Sequence, residues 1–147
     1  MIVVWQRVLQ ASVKVNSEII SSIGNGALVL VGVESQDTEK DVAFIADKCV
    51  NLRVFNDENN RLNRSIIETG GEMLVVSQFT LCGDCRKGRR PSFVNAASPD
   101  RGRELYRLLC SMIADKGVPV KRGRFRAEMQ VMLVNDGPVT LIIKSGN

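Results

Sequence analysis

Only two segments of this chain carry the apolar period of a helix, and much of the remainder is rich in β-branched residues. The first third predicts three strands, over 2–15, 18–23 and 27–33, separated by turns at Asn16-Ser17 and at Gly24-Asn25-Gly26. Strands and helices do not alternate regularly, as they would in a parallel βαβ fold. The pattern therefore predicts an α+β fold, with one curved, largely antiparallel sheet or barrel and two helices packed on it.

The two helices are defined by their caps and their apolar faces. The first is predicted over about 38–51 with Thr38 as N-cap, and the second over about 99–116 between the N-cap Ser98 and the stop signal Gly117. The residues expected to pack against the sheet are Val42, Ile45, Ala46 and Cys49 in the first helix and Leu105, Leu108, Leu109, Met112 and Ile113 in the second.

Length and composition indicate a single domain over residues 1–147. A chain of 147 residues, 44% of them hydrophobic, buries a core without help from disulfides or metals. No apolar run approaches the roughly 18 residues that a membrane span needs, and the N-terminus lacks the features of a signal peptide. We therefore expect a cytoplasmic protein that does not associate with membranes.

The chain contains no histidine. This excludes Ser-His and Cys-His nucleophile pairs and every His-ligated metal. Any catalysis must come from carboxylates, hydroxyls, lysine, backbone groups or the substrate itself.

The second half of the chain has two unusual features at predicted strand ends. A central strand is predicted over 72–81, yet it ends in the polar residues Ser77, Gln78 and Thr80, and the long irregular segment 82–97 follows it. Long loops of this kind are often functional. Strands are also predicted over 129–134 and 139–144, joined by a tight turn at 135–138 that contains Gly137-Pro138.

Cys82-Gly83-Asp84-Cys85 forms a CxxC sequence. It is open to three interpretations: a redox pair, half of a zinc site, or an incidental spacing. The segment that follows is a poor helix, and neither a histidine nor a second CxxC is present to complete a metal site. The incidental interpretation is favoured, although nearby arginines could raise the reactivity of Cys82 or Cys85.

Positive charge is concentrated in two short segments. They hold 8 of the 20 basic residues and no acid, while the rest of the chain carries 12 basic residues against 16 acidic ones. The residues are Arg86, Lys87, Arg89 and Arg90 in the first segment and Lys121, Arg122, Arg124 and Arg126 in the second. Such local charge favours an anionic partner such as nucleic acid, and two solvated loops are the alternative.

Five motifs in order along the whole chain resemble the D-aminoacyl-tRNA deacylase family. They are Ser77-Gln78-Phe79-Thr80-Leu81, Gly88-x-Arg90-Pro91-Ser92-Phe93, Ala97-Ser98-Pro99-Asp100-Arg101, Gly123-Arg124-Phe125, and Met129-Gln130-Val131 with Leu133-Val134-Asn135-Asp136-Gly137-Pro138-Val139-Thr140. The CxxC is not part of this pattern. The resemblance implies hydrolysis of the ester between a D-amino acid, or glycine, and the 3′ end of tRNA, with L-aminoacyl-tRNA spared.

The resemblance also implies a homodimer with active sites at the subunit interface, and no metal or cofactor is expected. A cis Gly137-Pro138 turn would enter the partner's pocket, present its carbonyls to the substrate's α-amino group and exclude L side chains. The family roles fall on the following residues: Ser77, Gln78, Phe79 and Thr80 as the catalytic segment with Phe79 near the adenine, Phe125 and Met129 as pocket walls, Arg7 as a brace of the turn, and Arg86, Lys87, Arg89, Arg90, Lys121, Arg122 and Arg124 as contacts to phosphates of the acceptor end.

Two mechanisms remain open at this point. In the first, the terminal 2′-hydroxyl of the RNA helps to activate water, and backbone N–H groups near Phe79 and Thr80 hold the oxyanion. In the second, Thr80 is a covalent nucleophile, for which no base is evident. The rival protein classes are an RNA-binding module without catalysis and, third, a redox protein built on the CxxC.

Overall fold

The computed structural model describes residues 1–146. Its strands are β1 Ile2–Val15, β2 Glu18–Ile23, β3 Gly26–Gly32, β4 Phe55–Asn56, β5 Leu62–Arg64, β6 Glu72–Ser77, β7 Val120–Arg122 and β8 Gln130–Lys144. Its helices are α1 Glu39–Asn51, α2 Ile66–Thr69 and α3 Pro99–Asp115, and a 3₁₀ turn covers Phe79–Cys82. No helix of the described part is long and apolar enough to cross a bilayer.

Strand β1 organises the main sheet because it pairs along both of its edges. One edge pairs antiparallel with β8, and the other pairs antiparallel with β3 and then with β2. The sheet continues from β3 through parallel pairings to β6 and β7. The Ser21 hydroxyl of β2 donates a hydrogen bond to the Arg122 carbonyl of β7, so the sheet curls towards closure. The predicted curved, barrel-like α+β fold in one domain is confirmed.

The curvature produces two cores, one on each face of the sheet. The first lies between the sheet and the helices, where the Trp5 indole donates to the Cys49 carbonyl of α1 at 3.2 Å. The second lies inside the curl and includes Val13, Leu28 and Leu74. Burial of each such aliphatic side chain contributes roughly 1.5–3 kcal/mol, so both faces of the sheet hold it in shape.

The predicted helices form where their caps indicated. The Thr38 N–H donates to the Asp41 carboxylate at 2.8 Å at the start of α1, and the Ser98 hydroxyl accepts from the Arg101 N–H at 3.4 Å at the start of α3. A third helix, α2, was not predicted. It is one turn long, too short to show an apolar period, and Ser65 and Glu68 cap it reciprocally.

The prediction of a strand over 72–81 is wrong at its end. β6 stops at Ser77, and Thr80 lies in the 3₁₀ turn rather than at a strand end. The last pair of β6 with β7 is Val75 with Arg122, and its last pair with β3 is Ser77 with Val31, so the chain beyond Ser77 has a strand partner on neither side. The chain then turns, and the Leu81 N–H bonds back to the Gln78 carbonyl at 3.2 Å.

The prediction of two strands joined by a tight turn at 135–138 is also wrong. β8 is a single strand, and both of its halves pair with β1: Thr140 lies opposite Gln6, and Asn135 lies opposite Val8. Residues 136–139 therefore bulge from the ladder opposite Arg7 alone. The Asn135 side chain closes this bulge, because its Oδ1 accepts from the Val139 N–H at 2.8 Å and its Nδ2 donates to Thr140 Oγ1 at 2.9 Å.

Candidate active site

A cavity of about 480 Å³ opens where β6 ends, beside α3 and the segment after β7. Its lining is mostly apolar, with a few polar groups, which is typical of a small-molecule site. The lining residues include Val76, Ser77, Gln78, Phe79, Pro99, Gly102, Tyr106, Phe125, Arg126, Ala127, Met129 and Val131. The structure thus brings together Ser77, Gln78, Phe79, Phe125 and Met129, which the sequence predicted as site residues.

The 3₁₀ turn begins at the cavity: Phe79 lines it, whereas Thr80, the next residue and also a predicted site residue, does not. The Phe79 ring is 60% exposed and makes an edge contact with Phe93, with ring centroids 5.2 Å apart. The Gln78 side-chain amide donates to the Thr80 hydroxyl. Within residues 1–146, no group accepts a hydrogen bond from the N–H of Phe79 or of Thr80, the first two residues of the turn. These two donors are available to a ligand.

The opposite wall is built by Phe125 on the segment after β7. Its ring packs on Tyr106 with centroids 5.8 Å apart, and the Tyr106 hydroxyl donates to the buried Val75 carbonyl at 2.8 Å. Burial raises the pKa of Tyr106, so this hydroxyl is neutral and acts as a structural donor. Tyr106 could not be singled out from the sequence, because it lies between the apolar residues of α3, where an aromatic side chain is ordinary core.

The Met129 side chain packs closely against the backbone at Gly123. A Cβ on Gly123 would lie 2.8 Å from the Met129 sulfur, so the glycine lets the thioether pack closely here, and a larger residue would push it aside. The Gly123-Arg124-Phe125 sequence thus places an aromatic ring and a thioether on one side of the cavity.

The Gly137–Pro138 bulge lies elsewhere on the chain and does not line this cavity. Its peptide bond is cis, and Gly137 has a φ of +127°, a region that favours glycine. Arg7 is 6% exposed and holds the base of the bulge: its Nε donates to the Asp136 carbonyl at 3.1 Å, and its Nη1 donates to the Val54 carbonyl at 2.8 Å. The Arg7 Nε also lies 3.2 Å from an Asp136 carboxylate oxygen.

The two basic segments differ in their distance along the chain from residues that line the cavity. The first lies in an exposed loop closed by Asp84 and Ser92; none of its cations lines the cavity, although Ala96 and Ala97 further along the chain do. The second starts on β7 and runs into Phe125. The exposed cations are Arg86, Lys87, Arg89 and Arg90 in the first segment and Lys121, Arg122, Arg124 and Arg126 in the second.

Arg86 differs from its neighbours because it is paired. It forms two hydrogen bonds with the Asp84 carboxylate, at 2.6 and 2.8 Å, and these lower the pKa of Asp84 to about 2. Part of the charge of the first segment is therefore neutralised internally. Lys87, Arg89 and Arg90 form no salt bridge within residues 1–146.

The cysteines of the CxxC lie in different environments. Cys82 is buried and bonds to the Val33 carbonyl, whereas Cys85 is exposed, and both are free thiols. Burial, with help from Glu34 and Asp37, raises the pKa of Cys82 to about 11, so the expectation that arginines activate this thiol is wrong. Within residues 1–146, no three His, Cys, Asp or Glu side chains are grouped as metal ligands. Cys49 is buried, as predicted, and Cys110 is buried as well.

Comparison with known proteins gives the same assignment along the whole chain. The family model described as D-Tyr-tRNA(Tyr) deacylase matches residues 4–144. A D-aminoacyl-tRNA deacylase of Desulforudis audaxviator is 56% identical, over 97% of this chain and 95% of that protein. One of Geobacillus sp. is 53% identical, over 97% of this chain and 94% of that protein.

A solved structure named c-Myc DNA Unwinding Element Binding Protein covers 100% of both chains with a TM-score of 0.95 and 39% identity. The family model spans nearly the whole chain, and the motifs around the cavity and the bulge lie within the matched residues. The chain belongs to the D-Tyr-tRNA(Tyr) deacylase family.

Proposed function

We propose that this protein hydrolyses the ester bond of D-aminoacyl-tRNA, and of glycyl-tRNA, to free amino acid and tRNA, and that it spares L-aminoacyl-tRNA. This activity would be a proofreading step of translation, which places the protein in the cytoplasm. The observation that carries the proposal is a pair of N–H groups without an acceptor in residues 1–146, at Phe79, which lines a cavity of nucleoside size, and at the next residue, Thr80, in a chain of this family.

Hydrolysis at this site rests on stabilisation of charge rather than on a protein nucleophile. The two N–H groups are fixed by the 3₁₀ turn and would hold the oxyanion that develops at the ester carbonyl. An aminoacyl ester is already reactive, and the 2′-hydroxyl of the terminal adenosine would help to activate the attacking water. No histidine is required in this scheme.

Covalent catalysis by Thr80 is the second mechanism. The side-chain partner of the Thr80 hydroxyl in residues 1–146 is the Gln78 amide, which does not accept a proton at neutral pH. A threonine nucleophile needs a base to become reactive. The geometry therefore favours the oxyanion mechanism over the covalent one.

Rejection of L-amino acids is assigned to the Gly137–Pro138 bulge of a second subunit. The bulge lies away from its own cavity, so the bulge of another copy has to supply this wall. In the described residues β8 pairs only with β1, and its 15 residues leave a long free edge with Met132, Val134 and Ile142 exposed beside the bulge. An edge of this kind is suited to an interface with a partner. In the homodimer we propose, the Gly137 and Pro138 carbonyls would accept from the α-ammonium of the substrate.

The exposed cations of the two basic segments would bind the phosphates of the RNA backbone. Lysine and arginine contacts to phosphates bind without reading sequence, so many different tRNAs would be held alike. Arg89 in the first basic segment and Arg124 in the second would each contact an RNA phosphate. Phe79, exposed at the cavity, would pack near the terminal adenine.

The test is hydrolysis of matched D-Tyr-tRNA, L-Tyr-tRNA and Gly-tRNA by purified protein in the presence of EDTA. We expect rapid release of D-tyrosine and glycine, no release of L-tyrosine above the spontaneous rate, and no effect of EDTA. Equal rates for D- and L-Tyr-tRNA would refute the stereochemical assignment, and absence of all hydrolysis would refute the enzymatic one.

A second candidate is nucleic-acid binding without hydrolysis. The unpaired exposed cations favour it, and one relative is named for binding a DNA unwinding element. It does not account for the free backbone donors beside the cavity. Tight binding of tRNA or DNA by a protein that leaves D-Tyr-tRNA intact would support this candidate instead.

A further inference from the structure

Two arginines, Arg103 and Arg126, lie against the cavity wall formed by Phe125. The guanidinium carbon of Arg103 lies 5.4 Å from the centroid of the Phe125 ring, and Arg126 itself lines the cavity. Neither forms a salt bridge within residues 1–146. Arg101, on the same helix as Arg103, pairs with both Glu39 and Glu104. The two cations at the wall are therefore available to an external anion.

The backbone of Arg126 adopts a conformation that arginine rarely takes. It is the third residue of a turn closed by the Ala127 N–H and the Arg124 carbonyl at 3.2 Å, and its φ is +63°. Turns with a positive φ at this position favour glycine or asparagine. Local strain of this kind concentrates at functional sites, because the surrounding structure must hold it in place. An arginine that lines a cavity from such a position points to a role for its cation.

Arg103 is held in place by the same aromatic ring. A guanidinium over an aromatic face is attracted to it and keeps its edge N–H groups free to donate. The other contacts of Phe125, with Tyr106 and with α3 at Gly102, fix the ring itself. The wall thus carries a positioned cation on the ring and a second cation on the next residue along the chain.

We propose that Arg103 and Arg126 form a phosphate subsite that binds the 5′-phosphate of the terminal adenosine of the substrate. This inference rests on the proposed function. Near the reacting ester, that phosphate is the anion that every substrate carries, whereas the α-amino group of the amino acid is a cation and would be repelled. The two arginines therefore mark the nucleotide end of the cavity, and the aminoacyl group lies away from them.

The test uses non-hydrolysable 3′-amide analogues of D-alanyl-adenosine, one with and one without a 5′-phosphate. In the wild-type protein we expect the phosphate to raise affinity about tenfold, measured by calorimetry, as for hydrogen bonds to a charged group. Arg126→Gly suits the backbone of the turn and removes the cation, so its Tm should stay the same or rise while the phosphate increment falls to about twofold or less. Arg103→Gln should lose part of the increment.

Arg107→Gln is the matched control, since this exposed residue lies on the same helix as Arg103 and, within residues 1–146, neither lines the cavity nor stacks on Phe125. It should keep the increment within about twofold of wild type. Equal wild-type affinity for the two analogues, or an increment that survives in Arg126→Gly, would overturn the phosphate subsite and leave the proposed function standing. A wild-type protein that binds neither analogue and does not hydrolyse D-Tyr-tRNA would overturn both.

Discussion

The Gly137–Pro138 bulge and the segment from Gln78 to Ala97 differ in how the chain satisfies its own polar groups. The base of the bulge is held by Asn135 and by a buried arginine, Arg7, that donates to carbonyls on two sides. The other segment leaves backbone donors free, exposes Phe79 and exposes 86% of Val94.

The two regions suit two different tasks of the proposed site, which are to distinguish mirror-image amino acids and to bind the end of the RNA. A surface that distinguishes mirror images has to keep its shape, and internal hydrogen bonds fix it. A surface that accepts an RNA end and a developing charge needs donors, cations and aromatic faces that the protein has not used. Each chain carries both surfaces, but in different places, which is why the proposed site requires two chains.

We expect the largest effect when the segment from Gln78 to Ala97 loses a backbone hydrogen-bond donor. Phe79→Pro removes the Phe79 N–H at the first position of the 3₁₀ turn, where the proline ring is tolerated. Because this N–H is one of the two proposed oxyanion donors, kcat on D-Tyr-tRNA should fall about 10²–10³-fold. Phe79→Ala is the matched control, since it loses the ring and keeps the N–H, and it should lower kcat far less.

Thr80→Ala sharpens the same comparison. Under the oxyanion mechanism this variant keeps near-normal turnover, because its N–H remains. If Thr80→Ala abolishes turnover while substrate binding is retained, Thr80 is the nucleophile and the backbone account is wrong.

The next largest effect is expected at the Gly137–Pro138 bulge, which Arg7 holds. Arg7→Ala leaves the buried Val54 carbonyl and the Asp136 carbonyl without their donor, so the free energy of unfolding should fall by about 2–4 kcal/mol. Urea denaturation measures this, and D/L selectivity should fall as the bulge loosens. Arg64→Ala removes an exposed donor to the Glu68 carbonyl and should cost less than about 1 kcal/mol. Equal losses for the two variants would contradict the role assigned to Arg7.

How far the sequence predicts the structure differs between these same two regions. The strands of the first third, α1 and α3 could be predicted because alternation, apolar period and caps are local signals. The site residues at 77–80 could be suspected from polarity at an apolar strand end, although their turn could not. It depends on where the pairing of β6 with β3 and β7 ends, which is set by distant segments of the chain.

The bulge could not be predicted for a similar reason. Asn135-Asp136-Gly137-Pro138 has the composition of a tight turn, and only the pairing of both flanks with β1 makes it a bulge in one strand. The distance between the bulge and its own cavity is likewise a property of the whole sheet. The family resemblance predicted the involvement of these residues, and local patterns alone did not.

A smaller effect is expected in the two basic segments. Arg89→Ala and Arg124→Ala should each weaken binding of several different tRNAs by a similar factor of a few, and each should lower the slope of log Kd against log salt by about one. Filter binding over a salt series measures this. Gln10→Ala, on the exposed face of β1, is the neutral control. A defect confined to a single tRNA would show base readout and would contradict the phosphate role.

The smallest effect concerns the thiols. Cys85 is exposed and should react with iodoacetamide at pH 8, while Cys82 should not, because burial and a pKa raised to about 11 leave few thiolates at that pH. Raising the pH towards 11 should increase labelling of Cys82. Mass spectrometry of the labelled protein distinguishes the two sites, and Cys85→Ser should keep full hydrolytic activity. Fast labelling of Cys82 at pH 8 would contradict this assignment.

In the proposed homodimer, each active site combines the cavity of one subunit with the Gly137–Pro138 bulge of the other. Mixed dimers test this arrangement directly. Phe79→Pro disables the cavity. Gly137→Ala disturbs the bulge, since a Cβ there would lie 2.9 Å from Val139 and 3.0 Å from Arg7. The two variants, carrying different affinity tags, are co-expressed and purified as mixed dimers. We expect one intact composite site per mixed dimer, with about half the wild-type rate on D-Tyr-tRNA and full rejection of L-Tyr-tRNA. Half the rate of the Gly137→Ala dimer, with the same D/L selectivity as that dimer, would show that each cavity works with the bulge of its own chain and would contradict this arrangement.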